Sequence, residues 1–202
     1  MTKILAFETS GTNCGVGVWI DKELIAIREE VGNKIHSEKL PEFVNSVLEE
    51  SNLTLKDFDA IAISAGPGSY TGLRIGMSFA KGLSFGSNLQ LIPINTILSI
   101  EECFKNDKEF TVLVYSHAEL VYEKSSSENA DKIIQTEIKD VYLNPLICVN
   151  FPEKKQTLPN SNYILPSVKY IGDFASKNYS KLEKPKLNEI SPGYFSEFNI
   201  RK

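Results

Sequence analysis

A chain of 202 residues, 42% hydrophobic and 24% charged, is long enough for one domain or two small ones around a real core. Its net charge of −4 is evenly spread, with 8 Lys and Arg against 11 Asp and Glu in residues 1–100 and 14 against 15 in residues 101–202, which excludes a basic nucleic-acid-binding module. No run approaches the ~18 apolar residues of a membrane span, and a strand pattern begins by residue 4, so neither a membrane span nor a signal peptide is expected and the cytoplasm is the expected location.

Residues 3–9 alternate weakly and read as a strand, Gly11-Thr12-Asn13 is turn chemistry, and residues 15–20 read as a second strand. Asp21-Lys22 turns tightly into a third strand over 24–29, and three strands with short turns imply an antiparallel meander. The period then changes. Leu40, Phe43, Val44, Val47 and Leu48 fall on one face of a helix over 38–50, with Ser37 as its candidate N-cap and Pro41 in its first turn. Thr54 can cap a short turn before a buried strand at 60–64. A glycine-rich turn, a helix at 71–86, a strand at 89–94 and a helix from Thr96 to about Phe104 follow. The order β-β-β-α-β-α-β-α, with its last two strands as parallel crossovers, is the duplicated unit of the actin-like ATPase superfamily, an α/β fold. The second half is weaker: a hairpin of 110–115 and 119–124 around Ser116-His117-Ala118, a polar loop at 124–132, a short strand at 146–149 and a modest helix at 168–177. Two βββαβα-type domains are expected, one over 1–104 and a reduced one over 105–202 that is not stable alone.

The stretch Gly66 to Gly86, GPGSYTGLRIGMSFAKGLSFG, is the most informative. Its helix carries small residues in two rows at four-residue spacing, one of Gly72, Gly76, Ala80 and Ser84, the other of Ser78, Gly82 and Gly86. Each glycine inside a helix costs roughly 1 kcal/mol relative to alanine, so repeated acceptance implies close approach of another backbone. The cylinder is apolar nearly all round, which implies burial on both sides, one against its own sheet and one against something extra. The expected partner surface is Leu40, Phe43, Val44 and Val47 of the first helix with Gly72, Leu73, Gly76, Met77 and Ala80 of this one.

The chemistry of catalysis is sparse. Glu8-Thr9-Ser10 stands at the first turn, where actin-like ATPases hold phosphate and the water of Mg²⁺ through backbone N–H groups, and it is the candidate phosphate turn. Its counterpart D-x-G-[ST] is absent after residue 100, and Gly66–Gly72 fits neither a Walker loop nor G-x-G-x-x-G. That segment reads as a tight turn with Ser69 or Thr71 as N-cap. His36 and His117 are 81 positions apart without a second ligand at helical spacing, and His36 reads as a helix-start residue. Cys14, Cys103 and Cys148 form no CxxC. No metal, no cofactor and no independent catalysis are expected.

The first hundred residues resemble the bacterial TsaB (YeaZ) family. The matching residues are Ile4-Leu5-Ala6-Phe7-Glu8-Thr9-Ser10, His36-Ser37, Ala80-Lys81-Gly82-Leu83, Pro93-Ile94-Asn95-Thr96 and above all Ala65-Gly66-Pro67-Gly68-Ser69-Tyr70-Thr71-Gly72-Leu73-Arg74-Ile75-Gly76. Pro192-Gly193-Tyr194-Phe195 faintly resembles the family's closing Pro-x-Tyr-Leu. The resemblance implies a partner subunit in threonylcarbamoyl modification of the tRNA adenosine next to the anticodon. Its partners would be a TsaD-type catalytic paralogue and a TsaE-type ATPase subunit, with tRNA reached only through the complex and a homodimer formed alone. The catalytic paralogue carries a metal histidine pair after the strand ending at Ile94, where this chain has Asn95-Thr96-Ile97-Leu98. Glu8 replaces the family's usual aspartate, and the family's Asp-Ala-Arg segment with a later Glu-Val-Tyr in the second domain stands here as Val114-Tyr115-Ser116-His117-Ala118-Glu119-Leu120-Val121-Tyr122, without the aspartate and arginine. An independent actin-like-fold enzyme (a small-molecule kinase or a glycoprotease) and a stand-alone homodimeric interaction protein are the competing readings.

Overall fold

The structure, a computed structural model, describes residues 1–105, 108–128 and 132–193. β1 (Lys3–Glu8), β2 (Asn13–Ile20) and β3 (Glu23–Val31) form the antiparallel meander, and β4 (Ala60–Ser64) and β5 (Gln90–Ile94) extend it in parallel, in the order β3-β2-β1-β4-β5. α1 (His36–Ser51) and α2 (Tyr70–Ser87) make the connections to β4 and β5. The central strands are buried on both faces, which is why Ile4-Leu5-Ala6-Phe7 and Ala60-Ile61-Ala62-Ile63 are unbroken apolar runs. Side chains alternate across the sheet. Leu5, Phe7, Ile61 and Ile63 pack with Leu40, Phe43, Val44 and Val47 of α1 and Met77 and Ala80 of α2, while Ile4, Ala6, Ala60 and Ala62 face Val168, Ile171 and Ala175 of α4 (Val168–Asn178).

The second sheet repeats this pattern. β6 (Thr111–His117), β7 (Leu120–Ser125) and β8 (Ile134–Glu137) form a meander, and β9 (Leu146–Val149) and β10 (Ser161–Ile164) add in parallel, in the order β10-β9-β6-β7-β8. The fold is therefore the actin-like α/β arrangement, with its second half reduced. Among the described residues, no counterpart of α1 or α2 joins β8 to β9 or β9 to β10. The segments 138–145 and 150–160 cover that face instead, with Tyr142, Phe151 and Leu158 on Leu113, Val121 and Cys148.

Helix packing crosses residue 104. α3 (Thr96–Phe104), from the first half, lays Ile97 and Ile100 on Phe110, Val112 and Val149 of the second sheet. α4, from the second half, lies on the first. Glu29 of β3 holds it there: one carboxylate oxygen accepts from Val168 N at 2.7 Å and Asn13 Nδ2 at 2.9 Å, and the other from Ser167 Oγ at 3.1 Å.

Several local expectations are corrected. α1 starts at His36, and Ser37 lies inside it: His36 is buried, and the first turn is closed by Glu38 N and Lys39 N donating to Ile35 O at 3.1 and 2.9 Å, without a side-chain cap. Pro41 accordingly lies beyond the first turn. Ser69, not Thr71, caps α2, and Asn95 caps α3. Ser116 and His117 belong to β6, with the turn at Ala118-Glu119, where Ala118 has φ 52°. β8 and β10 lie outside the expected elements; both are edge strands, whose polar composition carries no alternating apolar signal. Tyr194 and Phe195 of the closing motif, and 129–131 of the polar loop, lie outside the described residues.

The side chain of Lys124 in β7 is 1% exposed and bonds Glu101 of α3 at 2.7 Å and the carbonyls of Ser125 and Glu128 at 3.1 Å. Removing one partner of a buried pair leaves the other charge uncompensated. Glu101→Gln should therefore lower stability by about 3 kcal/mol in urea unfolding, and Lys124→Met with Glu101→Leu should recover most of the loss.

Candidate functional site

The site is organised by the seating of α2. After β4 the chain passes Gly66-Pro67-Gly68, Ser69 N donates to Ser10 O at 2.6 Å, and Ser69 Oγ accepts from Gly72 N at 3.2 Å to cap the helix. A Cβ on Gly72 would overlap Thr9 O, and one on Gly76 would overlap the Thr9 side chain. Only glycine lets the helix backbone come this near the first turn. The row Gly72, Gly76, Ala80 and Ser84 therefore points inwards, and all four are buried.

This corrects the expected partner surface. Leu40, Phe43, Val44, Val47, Gly72, Leu73, Gly76, Met77 and Ala80 are all buried within the chain, because they form the face that covers its own sheet. The outward row is the other one. Arg74, Ser78, Gly82 and Gly86 are exposed, a Cβ on Gly82 or Gly86 would meet nothing within 4 Å, and Phe85 beside them is 82% exposed.

The candidate phosphate turn is also corrected. Glu8, Thr9 and Ser10 are buried, and three backbone N–H groups of the turn, those of Thr9, Ser10 and Thr12, are taken by the chain itself. Thr9 N donates to Ser64 Oγ at 3.1 Å, Ser10 N to Glu8 Oε1, and Thr12 N to Asn150 Oδ1 at 3.2 Å. A phosphate cradle needs free donors. Burial pushes the Glu8 carboxyl up to about 7, against the lowering effect of its contacts with Ser10 and Ser64, so at neutral pH it is only about half ionised, which weakens it as a partner for Mg²⁺.

Beside this turn a cavity of about 1260 Å³ opens between the two halves. One wall holds Lys34, His36, Ser37 and the first turn of α2; the other holds Tyr115, Ser116, His117, Tyr122, Gln135 and Asn150. His36 and His117, far apart in sequence, line the same space. His36 is 5% exposed, its Nε2 has no hydrogen-bond partner among the described residues, and burial lowers its pKa. Ser116 Oγ lies 3.0 Å from His117 Nδ1 and accepts from Gln135 Nε2 at 3.4 Å. The wall from the second half escaped sequence reasoning because its residues come from separate strands and share no local spacing. Among the described residues no three His, Cys, Asp or Glu side chains converge as a metal set, and no helix is long and apolar enough to cross a membrane.

The fold and site thus define a two-sheet actin-like protein whose phosphate turn is closed and whose glycine helix presents one small-residue row outwards. The family model for TsaD, tRNA N6-adenosine threonylcarbamoyltransferase, matches residues 27–158. The tRNA threonylcarbamoyladenosine biosynthesis protein TsaB of Buchnera aphidicola subsp. Schizaphis graminum is 30% identical over 206 residues, covering 96% of this chain and 93% of that one. The TsaB protein of Haemophilus influenzae is 28% identical over 71% of this chain, which spans only about half, 53%, of that protein's length. A Pseudomonas aeruginosa crystal structure described as similar to peptidase YEAZ superposes with a TM-score of 0.81 over 97% of this chain and 100% of that one, at 18% identity, a likeness of fold. The chain belongs to the TsaB (YeaZ) family.

The raised carboxyl of Glu8 has a signed consequence. Between an unfolded value of 4.5 and a folded value of about 7 the native state binds the extra proton, so stability is full below the lower value and falls as pH rises through the upper one. Chemical denaturation from pH 5 to 8 should show wild type losing up to about 3 kcal/mol from this group, and Glu8→Gln a visibly flatter profile.

Proposed function

We propose that this chain is an accessory subunit of tRNA threonylcarbamoyladenosine biosynthesis, one that binds and activates a TsaD-type threonylcarbamoyltransferase paralogue without catalysing the transfer itself. A TsaE-type ATPase subunit and tRNA join through the complex. The names of the matched relatives support the pathway. The closed phosphate turn and the sequence Asn95-Thr96-Ile97-Leu98, where the catalytic paralogue has its histidine pair, support the accessory role.

The observation that carries the docking reading is the outward row of α2. Gly82 and Gly86 stand inside a helix, at roughly 1 kcal/mol each relative to alanine, yet among the described residues nothing lies within 4 Å of a Cβ placed there. Their use lies in letting another backbone approach, with Phe85 as the exposed anchor at its edge. The outer face of α1 carries exposed Glu38, Glu42, Asn45 and Glu49, so the contact centres on α2 rather than on a symmetric pair of helices. Without the paralogue, the same patch pairs with its copy about a two-fold axis.

Gly82→Arg and Phe85→Glu should fold normally, since neither position packs against the chain. Both should weaken capture of the TsaD-type protein and self-association by at least about tenfold, ~1.4 kcal/mol, in sedimentation and calorimetric titration. Gly76→Arg should instead lose its native circular dichroism. Retained wild-type association in folded Gly82→Arg and Phe85→Glu would place the interface elsewhere.

A further inference from the structure

The last described residues reach the cleft from within the fold. Ile190 is 4% exposed in the core of the first half, and Gly193 N donates to Ala65 O at 2.7 Å. Gly193 lines the cavity, and a Cβ on Gly66, which has φ 106°, would lie 2.8 Å from Gly193 O. The chain is thus pinned at two points and delivered to the cavity wall. The residues that follow, 194–202, read Tyr-Phe-Ser-Glu-Phe-Asn-Ile-Arg-Lys. In an extended segment Tyr194, Phe198 and Ile200 fall on one side, and Glu197, Asn199 and Arg201 on the other. Solvated tails are poor in aromatic and branched side chains, and such a pattern calls for an apolar surface to lie on.

The cavity offers that surface. Tyr115 and Phe151 stand with ring centres 5.5 Å apart, and Leu120, Tyr122 and Leu165 line the same space, Leu165 being 39% exposed. From Gly193 to Phe198 an extended chain reaches about 16 Å, enough to cross a cavity of about 1260 Å³. A short tether also sets the effective concentration of the segment at the cleft near roughly 1 mM. Modest apolar contacts then suffice, and a second copy of the chain competes poorly.

We propose that residues 194–202 fill the cleft of their own chain, extended, with Tyr194, Phe198 and Ile200 against Tyr115, Tyr122 and Phe151. The segment leaves the first half at Ala65 and lies on the second, so it straps the two walls together. Any other molecule that enters the cleft displaces it.

A nitroxide at position 202 of the full chain tests this, attached through Lys202→Cys with Cys103→Ser to remove the exposed thiol; Cys14 and Cys148 are buried. The amides of Tyr115, Ser116, His117 and Gln135 should broaden, and those of Leu55–Asp57, which precede β4 at the other end of the sheet, should not. Phe198→Ser with Ile200→Ser should abolish the broadening. In a mixture of ¹⁵N-labelled unmodified chain with unlabelled nitroxide chain, no broadening is expected. Hydrogen exchange of the unmodified full chain should show the amides of 196–200 slowed about tenfold or more relative to a peptide of that sequence. Wall amides that stay sharp, broadening that survives the double serine change, or exchange as fast as the peptide's would overturn the proposal. Broadening in the mixture would overturn it too, by placing a second copy in the cleft. The exchange measurement needs no variant and decides the matter even where one misfolds.

Discussion

The contact of Gly72 and Gly76 with Thr9 sets most of what is distinctive about this molecule. It brings the backbone of α2 against the turn after β1 at a separation that no side chain permits. Three consequences follow from one approach. The helix is fixed in rotation, so one small-residue row is spent on the core and the other faces out. Ser69 N is drawn onto Ser10 O, which helps to seal the turn where this fold otherwise grips phosphate. The first turn of α2, capped by Ser69, is delivered to the rim of the cleft. A substitution at either glycine therefore acts on the core, the turn and the cleft rim together.

The second half depends on the first in a complementary way. Its sheet keeps the strand order of the first but covers one face with largely irregular segments instead of α-helices, and its single described α-helix, α4, is given to the first sheet. Trp19 lies in that contact, its Nε1 donating to Asp173 Oδ1 at 2.9 Å, and a Cβ on Gly172 would overlap its ring. Glu29 completes the strap by accepting from the first N–H of α4, a carboxylate at a helix N-terminus, which is its favourable end. α3 makes the reciprocal contact, tied through the buried Lys124–Glu101 pair. Two helices exchanged between sheets hold the cleft walls in register although each half contributes little of the other's sheet.

The first half was legible because its signals are local. Apolar strands, the α1 periodicity and the Gly66–Gly76 run each declare an element within a few residues. The number of small-residue rows on α2 was equally legible, but not their direction. A helix apolar on both sides offers no sequence signal for which side the sheet takes, and the inward row is decided by overlap with Thr9, more than sixty positions away in the chain. The same limit hid the cleft. His36 and His117 are unremarkable as isolated residues, and only the strand order that puts β6 across from the start of α1 makes them neighbours of one cavity. β8 and β10 were missed because an edge strand with one exposed side can be polar, and pairing supplies what its side chains do not.

One side-chain pair joins the outward row of α2 to the rim of the cleft. Arg74 stands on the outward row of α2 with Ser78 and Gly82, and its guanidinium lies 3.9 Å from the ring centre of Tyr70, which lines the cleft. The glycine seat keeps α2 from sliding or turning against the first turn. The Arg74–Tyr70 contact is the shortest link between the outward row and the cavity rim. The cation–π contact is worth about 1 kcal/mol at a partly exposed site, enough to change the rim's preferred geometry severalfold and too little to disturb the core. Rigid seating of the helix thus leaves the first turn of α2 as the place where its outward row and the cleft rim meet.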